Sequence, residues 1–438
     1  VRLDVRSRRW PGWRFAGQPP AVIGRRSSPS DYASAIPARQ PDAPRFTARI
    51  IPGLTDLRDS SVWTGDDLEF AYLCACEAIA PSPCRHGGIV VEQAGRPVAI
   101  APTFTTSIPF EIILSGPLKS ITQSLAQRFP KLTALRLIAL GSPFWNRSGI
   151  AFDPGLDVQS RTACMQEMLK ALEAHARQNR IPFSIVKDVS DNELATFGAA
   201  FSARRFAKIA VLPQTTLAVP ETNAAYIDAL SANMRSNMRR KLKKAAGLTI
   251  ETLTSLDGIW AGIEDEIVGM KKETAARADI DFDLFSTVPP TYFRTILEQM
   301  PGRAFIRLYR LDAKPVGFAL MVANDREIIE TFTGMHYPAG PDHGLFFRNW
   351  MEHLEDARSR GMGHIETGPT TYLTKARLNC TFHPSWLFVR AMNPAMNRIT
   401  RWAAPRLGLD QDDPDLKDLG DKAPYGPQPP PRHPGKPL

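Results

Sequence analysis

The sequence predicts an α/β fold, an α+β arrangement of mixed sheets with helices packed on them, in two tandem units of which the second is the better preserved. Two observations predict it. From Ile50 onward, stretches of alternating apolar residues interleave with stretches of helical spacing. The order of these stretches in the second half is strand, helix, helix, three antiparallel strands, helix, strand, and a blurred version of it runs through the first half. A chain of 438 residues has room for two or three domains.

Each element has a local reason. Asp66–Ala80 has helical spacing. "GGIVVEQAGRPVAIAPTFTT" reads as two strands joined by a turn at Ala94-Gly95-Arg96, and "LRLIALGSP" as a further strand. "TACMQEMLKALEAHARQNR" places Met165, Met168, Leu169, Leu172 and Ala176 on one helical face. "PFSIVKDV" is a strand, "NELATFGAAFSARR" a helix, and "FAKIAVLPQTTLAV" closes the unit with strands. The second unit opens on one helix, 223–246, ended by Gly247. The strand "LTIETL" follows, then helices near 257–277 and 289–300. Three strands come next, the first two joined at Asp312-Ala313-Lys314, then a helix over Gly344–Gly361 and the strand "HIETG".

Composition bounds the function. Residues 1–49 carry seven of the 38 prolines and a net charge of +7, and residues 405–438 carry nine prolines. Both ends are expected to be disordered tails, which divides the chain into 1–49, 50–220, 221–404 and 405–438. The first residue is Val, so the first 40 residues are also compatible with untranslated upstream sequence. The net charge of +9 belongs mostly to the N-terminal tail, so it does not call for duplex DNA as a partner. No stretch of 18 apolar residues calls for a membrane span, and five cysteines in so long a chain suggest a reducing, cytoplasmic setting. Cys74 and Cys76 project about 200° apart on a helix, so C-x-C-x7-C-x-H is not a metal site and no metal is expected. P-loop, G-x-S-x-G and H-E-x-x-H motifs are absent.

Three local features carry a resemblance: "NMRSNMRRKLKKA", "TGMHYPAGPDHGLFF" and "RGMGHIETGPTTYLTKARL". With the element order, they resemble the GNAT acyltransferase superfamily, in the tandem form of FemAB-like and cellulose-biosynthesis-type acyltransferases. The resemblance spans about Ile50–Ala404. It implies transfer of an acyl or aminoacyl group from a CoA-type or aminoacyl-tRNA donor to an amine or hydroxyl of a cell-envelope precursor, sugar or polysaccharide. Acetyl-CoA or another acyl-CoA would be a co-substrate, with no cofactor bound tightly. The partners implied are a small-molecule or glycan acceptor and, with the second donor, tRNA. Other readings are a tRNA-dependent peptidoglycan-branching ligase and a non-catalytic binding protein on the same scaffold.

The resemblance also assigns residues. The donor would lie along Pro338–Gly344 and the helix start, at Gly340, His343, Gly344 and Leu345, although Asp342 there would repel phosphate. Glu366 ends a strand before Gly368; Ile365 is the core-facing member, so Glu366 faces the other way, as a base. Glu330 is a second candidate, sharing strand parity with Ile328 and Phe332; His336 is a third. Tyr337 would be the acid to the leaving group. Lys375 and Arg377, in a loop, would bind substrate anions. On the helix 223–246, Leu230, Met234, Met238, Leu242 and Ala245 form an apolar stripe. Arg235, Arg239 and Arg240 lie on its other faces, either simply solvated or contacting a phosphate or acidic glycan.

Overall fold

The strands assemble into two sheets that trade their last members. The computed structural model describes residues 46–109, 134–277 and 288–425, apart from 58–59, 61, 64–66, 81, 83, 409, 411–412 and 421–422. Of the tails expected at 1–49 and 405–438, residues 1–45 and 426–438 lie outside the described part. The first half runs β1 (Phe46–Ile51), α1 (Leu68–Glu77), β2 (Arg85–Gln93), β3 (Arg96–Pro109), β4 (Ala134–Leu140), β5 (Ala151–Phe152), α2 (Val158–Gln178), β6 (Phe183–Ser190), α3 (Asp191–Ala203), β7 (Ala207–Ala210) and β8 (Gln214–Ala218). The second half begins α4 (Asn223–Ala229), α5 (Ala232–Lys244), β9 (Thr249–Leu253), α6 (Ile263–Ala275), α7 (Tyr292–Gln299), β10 (Ala304–Leu311), β11 (Lys314–Ala323) and β12 (Ile328–Met335). It ends α8 (Ala339–Asp342), α9 (Leu345–Ser359), β13 (His364–Glu366), α10 (Tyr372–Arg377), β14 (Thr381–His383), β15 (Ser385–Ala391), α11 (Pro394–Ala403) and α12 (Pro414–Leu419).

The first sheet has the order β1-β2-β3-β4-β6-β15-β7, with β5 beside β3; the second has β14-β8-β13-β12-β11-β10-β9. Read from β1 and from β9, the two orders match position by position. In each, an antiparallel run meets the next strand in a parallel pair, β4 with β6 and β12 with β13. A helix joins each parallel pair, α2 or α9, as a parallel crossover requires. The final strand of each half sits in the other half's sheet. β8 lies between β13 and β14, and β15 lies between β6 and β7. The expected boundary at 220/221 is therefore crossed in both directions.

Local chemistry explains the element ends. Ala94-Gly95 and Asp312-Ala313 both have positive φ at two successive residues, the backbone that a two-residue hairpin needs. Asp157 caps α2, and Ser190 with Glu193 forms a capping box on α3. The single helix expected over 223–246 is two helices. Leu230 is extended and buried, and Ser231 caps a new helix by accepting from the Met234 N–H. Two tail expectations are corrected. Phe46 is buried and begins β1, paired with β2. Near the other end, Leu416 and Leu419 of α12 pack on Tyr372, and the Tyr425 hydroxyl donates to the Val211 carbonyl at 2.6 Å. Enough apolar side chains punctuate these segments to anchor them despite their prolines.

One apolar core joins the halves. Tyr72, Phe144 and Trp145 pack with Tyr292, Phe293 and Phe318, and the Tyr72 and Tyr292 hydroxyls hydrogen-bond to each other inside it. Among the described residues, no helix is long and apolar enough to cross a membrane.

Candidate active site

The second parallel pair opens almost as soon as it forms. β12 and β13 share one register position, Ile329 with Glu366, whereas β4 and β6 share four. Past Glu366 the chain turns away: the Thr367 N–H donates to Thr215 of β8 at 2.8 Å, and Gly368 adopts φ +68°. The result is a wedge in the sheet beside β12.

Glu366 stands at the mouth of this wedge, on the face opposite buried Ile365, as the two-residue period requires. It is not alone. Arg147, from the loop after β4, binds Glu366 Oε1 through Nε at 3.0 Å and Nη2 at 2.6 Å, and Glu327 through Nη2 at 2.9 Å. Glu69, in the first turn of α1, accepts from the Trp145 indole N–H at 2.6 Å, and the Arg147 guanidinium lies 5.6 Å from the Trp145 ring. Four segments from both halves thus gather three carboxylates around one guanidinium. Burial pushes the Glu69 carboxyl up to about 7, against the opposing pull of Arg147 and the indole N–H. Burial works against the charge on Arg147, but Glu366, Glu69 and Glu327 outweigh it and its pKa rises.

Glu69, Arg147 and Glu327 were not singled out from sequence. A signal for Glu69 existed: it is the one charged residue in the otherwise apolar and aromatic run Leu68–Cys76. Nothing local marks Arg147 or Glu327.

The other sequence candidates are placed as follows. Glu330 does not share a face with Phe332. A bulge between Leu320 and Met321 in the register leaves Thr331 unpaired and reverses the parity beyond it. Glu330 therefore points to α9, where Asn349 donates to it, while Phe332 packs beside Tyr292 in the shared core. Burial raises the Glu330 pKa, opposed by Asn349, Arg307 and Lys375. Asn349 also accepts from the Tyr309 hydroxyl at 2.8 Å, and Arg307 pairs with Asp356, so Glu330 belongs to a buried polar network.

His336 is held between two carboxylates of α6, Nδ1 to Glu273 and Nε2 to Glu266, each at 2.8 Å. Burial alone would lower its pKa, but those partners outweigh it and the pKa is raised; with both ring nitrogens engaged by carboxylates, neither is open to a substrate. The Tyr337 N–H donates to Glu273, and Arg277 stacks 4.0 Å from its ring.

Lys375 lies on the helix α10, not in a loop, and is 3% exposed. Its ammonium donates to the carbonyls of Thr367 at 2.6 Å, Gly368 at 2.8 Å and Pro369 at 3.2 Å. Three donors meet three acceptors, so it braces the wall of the wedge from inside. Burial pulls its pKa down to about 8, partly offset by Cys380 and Glu330. Arg377 is exposed.

In the loop expected to hold the donor, Gly340 is buried against Met335 and the His343 Nδ1–H donates to the Ala339 carbonyl at 2.9 Å. Leu345 is core, packed with Tyr309 and Val316. Gly344 begins α9 in a left-handed conformation, and a Cβ there would come within 2.5 Å of the Lys241 carbonyl. Lys241 in turn donates to the Pro341 carbonyl at 3.1 Å. The loop is thus fastened to the basic helix α5.

On α5, Met234 and Met238 are buried with Leu230, which precedes the helix, and Leu242 packs beside them; Ala245, just past its end, is buried in the cluster of Leu248 and Tyr309. Arg239 pairs with Asp228 at 2.9 Å, Arg235 donates to the Asp228 carbonyl, and Arg240 donates to Asn237. Among the described residues, no cluster of His, Cys, Asp and Glu could hold a metal ion, and all five cysteines are buried thiols outside any disulfide. A surface cavity of about 480 Å³ beside Trp260 and Arg294 is lined by none of the wedge residues, and Arg294 there is already bound by Asp257 and Glu264.

In strand order each half is a GNAT-type fold, and the chain is two such folds in tandem. No family model and no curated protein matches the sequence. Among solved structures, the chain is similar to FemX at 14% identity and TM-score 0.49, covering 79% of this chain and 98% of that one. It is also similar to a tandem GNAT protein from the clavulanic acid biosynthesis pathway, at 15% identity and TM-score 0.48 over 80% of this chain and 99% of that one. A third is the C-terminal domain of a putative lysylphosphatidylglycerol synthetase from Agrobacterium fabrum, at 12% identity and TM-score 0.44 over 77% of this chain and 91% of that one.

Proposed function

We propose that this protein is an acyltransferase whose second half carries the reaction, with a primary amine as acceptor. The observation that carries this reading is the wedge between β12 and β13 with three carboxylates and one guanidinium at its mouth. Such a surplus of negative charge attracts an ammonium ion and repels an anionic acceptor. Glu69, with its carboxyl near neutrality, takes the proton that makes the amine nucleophilic. The amine nitrogen then attacks the acyl carbon, and the thiolate or ribose oxygen of the donor leaves with its electron pair. Glu366, fixed by Arg147, orients the amine. Lys375 keeps the wall of the wedge in shape.

The donor is a phosphate-bearing acyl carrier. The exposed Lys243 and Lys244, with Arg240, lie on the helix that Lys241 fastens to the start of α9, where a helix N-terminus adds partial positive charge. An acyl-CoA is the first reading; the basic residues of α5 favour aminoacyl-tRNA as the second. The acceptor class is the amine of a cell-envelope precursor or amino sugar.

The test is to follow release of free thiol from acetyl-CoA, and of free tRNA from charged tRNA, against a panel of amines and matched alcohols. Turnover with amines and not with alcohols is the expected result. Failure to bind either donor would leave a non-catalytic binding protein.

A further inference from the structure

The loop after β4 is held by its backbone, one carbonyl at a time. The Tyr72 hydroxyl of α1 donates to the Phe144 carbonyl at 3.0 Å. The Lys187 ammonium of β6 donates to the Trp145 carbonyl at 2.7 Å, and the Gln214 side-chain amide of β8 to the Asn146 carbonyl at 3.0 Å. Side chains from three elements thus tie three successive carbonyls. The same loop carries two of the side chains that build the mouth of the wedge. Trp145 donates its indole N–H to Glu69 at 2.6 Å, and Arg147 binds Glu366 and Glu327.

One of these ties carries a buried charge. Lys187 is 4% exposed, and its counter-ion is the adjacent Asp188, whose φ of +54° is a costly backbone for a residue other than glycine. An apolar side chain of similar length would fill the space beside Gly141 without the desolvation cost of an ion pair. What it would lack is a donor to the Trp145 carbonyl. Trp145 itself is 3% exposed, with the Tyr72 ring 4.6 Å away. Fixed at its carbonyl and packed along its ring, it has one place to put its indole N–H.

We infer that Lys187 is a positioning residue of the reaction centre. By holding the Trp145 carbonyl it keeps the indole N–H on Glu69, so the closed junction of the first half secures the hydrogen bond on the carboxylate that works in the open one. The role rests on the reading of Glu69 as the proton acceptor. Glu69 is faced by Asp67 before its own helix, by Arg147 and Trp145 of the loop and by Glu327 of the second half. Burial disfavours its charged form; Arg147 and then the indole N–H favour it, and Asp67 and Glu327 disfavour it. Loss of the indole bond therefore moves its midpoint upward from about 7.

Titration of the Glu69 carboxyl by 13C NMR, identified by the signal that Glu69→Gln removes, tests this without a substrate. In Lys187→Met the midpoint should rise by about one pH unit. That variant strands the Asp188 carboxylate, so Lys187→Met with Asp188→Asn is measured beside it and should give the same rise. Trp145→Phe, which keeps a ring and deletes the N–H, should raise the midpoint at least as far. Lys187→Met added to Trp145→Phe should move it no further, because the two act in series. With an amine and a donor, turnover of the Lys187 variants should fall about fivefold at pH 7 and recover by pH 9. An unchanged or lowered midpoint in the Lys187 variants would overturn the proposal. So would a rise that adds in full to that of Trp145→Phe, which would make Lys187 act through its own charge. A raised midpoint with an unaltered pH–rate profile would uphold the positioning and remove Glu69 as the proton acceptor.

Discussion

The two halves build the same parallel junction and finish it differently. In the first, β4 and β6 stay paired over four residues, and the space beyond is filled: Gly141 has φ +124°, and a Cβ on it would meet the Lys187 side chain at 2.4 Å. Lys187 is buried there, donating to the Trp145 carbonyl at 2.7 Å and to Asp188. In the second, the pair ends after one residue and the space is left open, edged by carboxylates. A duplicated fold can therefore keep one junction as masonry and one as a doorway. The closed half still contributes: it supplies Glu69 and Arg147 to the open one.

The largest expected effect of breaking this contrast is chemical. Glu69→Gln should lower turnover by about a hundredfold to ten-thousandfold while leaving the melting temperature close to that of the wild type. The activity of the wild type should rise with pH through about 7 as Glu69 loses its proton, and the variant should lose that rise. Because the folded pKa of this carboxyl lies above the unfolded one, its contribution to stability falls between about 4.5 and 7 as pH rises. An unchanged pH profile in the variant would move the proton acceptor elsewhere, with Glu366→Gln the next substitution to measure.

Next comes the brace. Lys375→Met takes the ammonium from three half-buried carbonyls, of which Gly368 keeps the Thr215 hydroxyl as a donor, and should destabilise the fold by about 2–4 kcal/mol in urea titration. Loss of donor affinity with full stability would instead restore Lys375 as an anion clamp. The glycines sharpen the comparison further. Gly141→Ala, strained and crowded, should cost about 2–3 kcal/mol, and Gly368→Ala, strained but in open space, about 1 kcal/mol. Equal costs would mean that the first junction is no tighter than the second.

A smaller effect concerns His336. Its pKa is raised in the fold, so its stabilising bonds to Glu266 and Glu273 are fully present below about 6.5 and are lost as pH rises through the higher folded value. The stability difference between wild type and His336→Gln should shrink from pH 6 to pH 8. The smallest is Arg239→Ala, an exposed pair, which should change stability by less than about 1 kcal/mol.

Most strands and helices were legible because alternation and helical spacing are local properties. The wedge was partly legible: the opposite faces of Ile365 and Glu366 follow from the two-residue period. Glu330 was misread because one unpaired residue, Thr331, reverses a parity that counting assumes constant. Lys375 was misread because a buried ammonium surrounded by carbonyls looks in sequence like any other lysine. Arg147 and Glu327 were illegible because their meaning lies in meeting Glu69 and Glu366, which are distant in the chain. The exchange of β8 and β15 was illegible too, since each strand has an apolar pattern that suits either sheet.

That exchange has a consequence for how the chain is made. While the ribosome has yet to deliver Ser385–Ala391, β6 and β7 have nothing between them, and β7 cannot join its sheet. Until then the nascent first half carries an unsealed edge, the kind of edge that invites pairing with a neighbouring chain. Cutting the gene at codon 220 would yield two fragments, each holding the piece the other lacks. Soluble protein should be recovered only when both fragments are produced together in one cell.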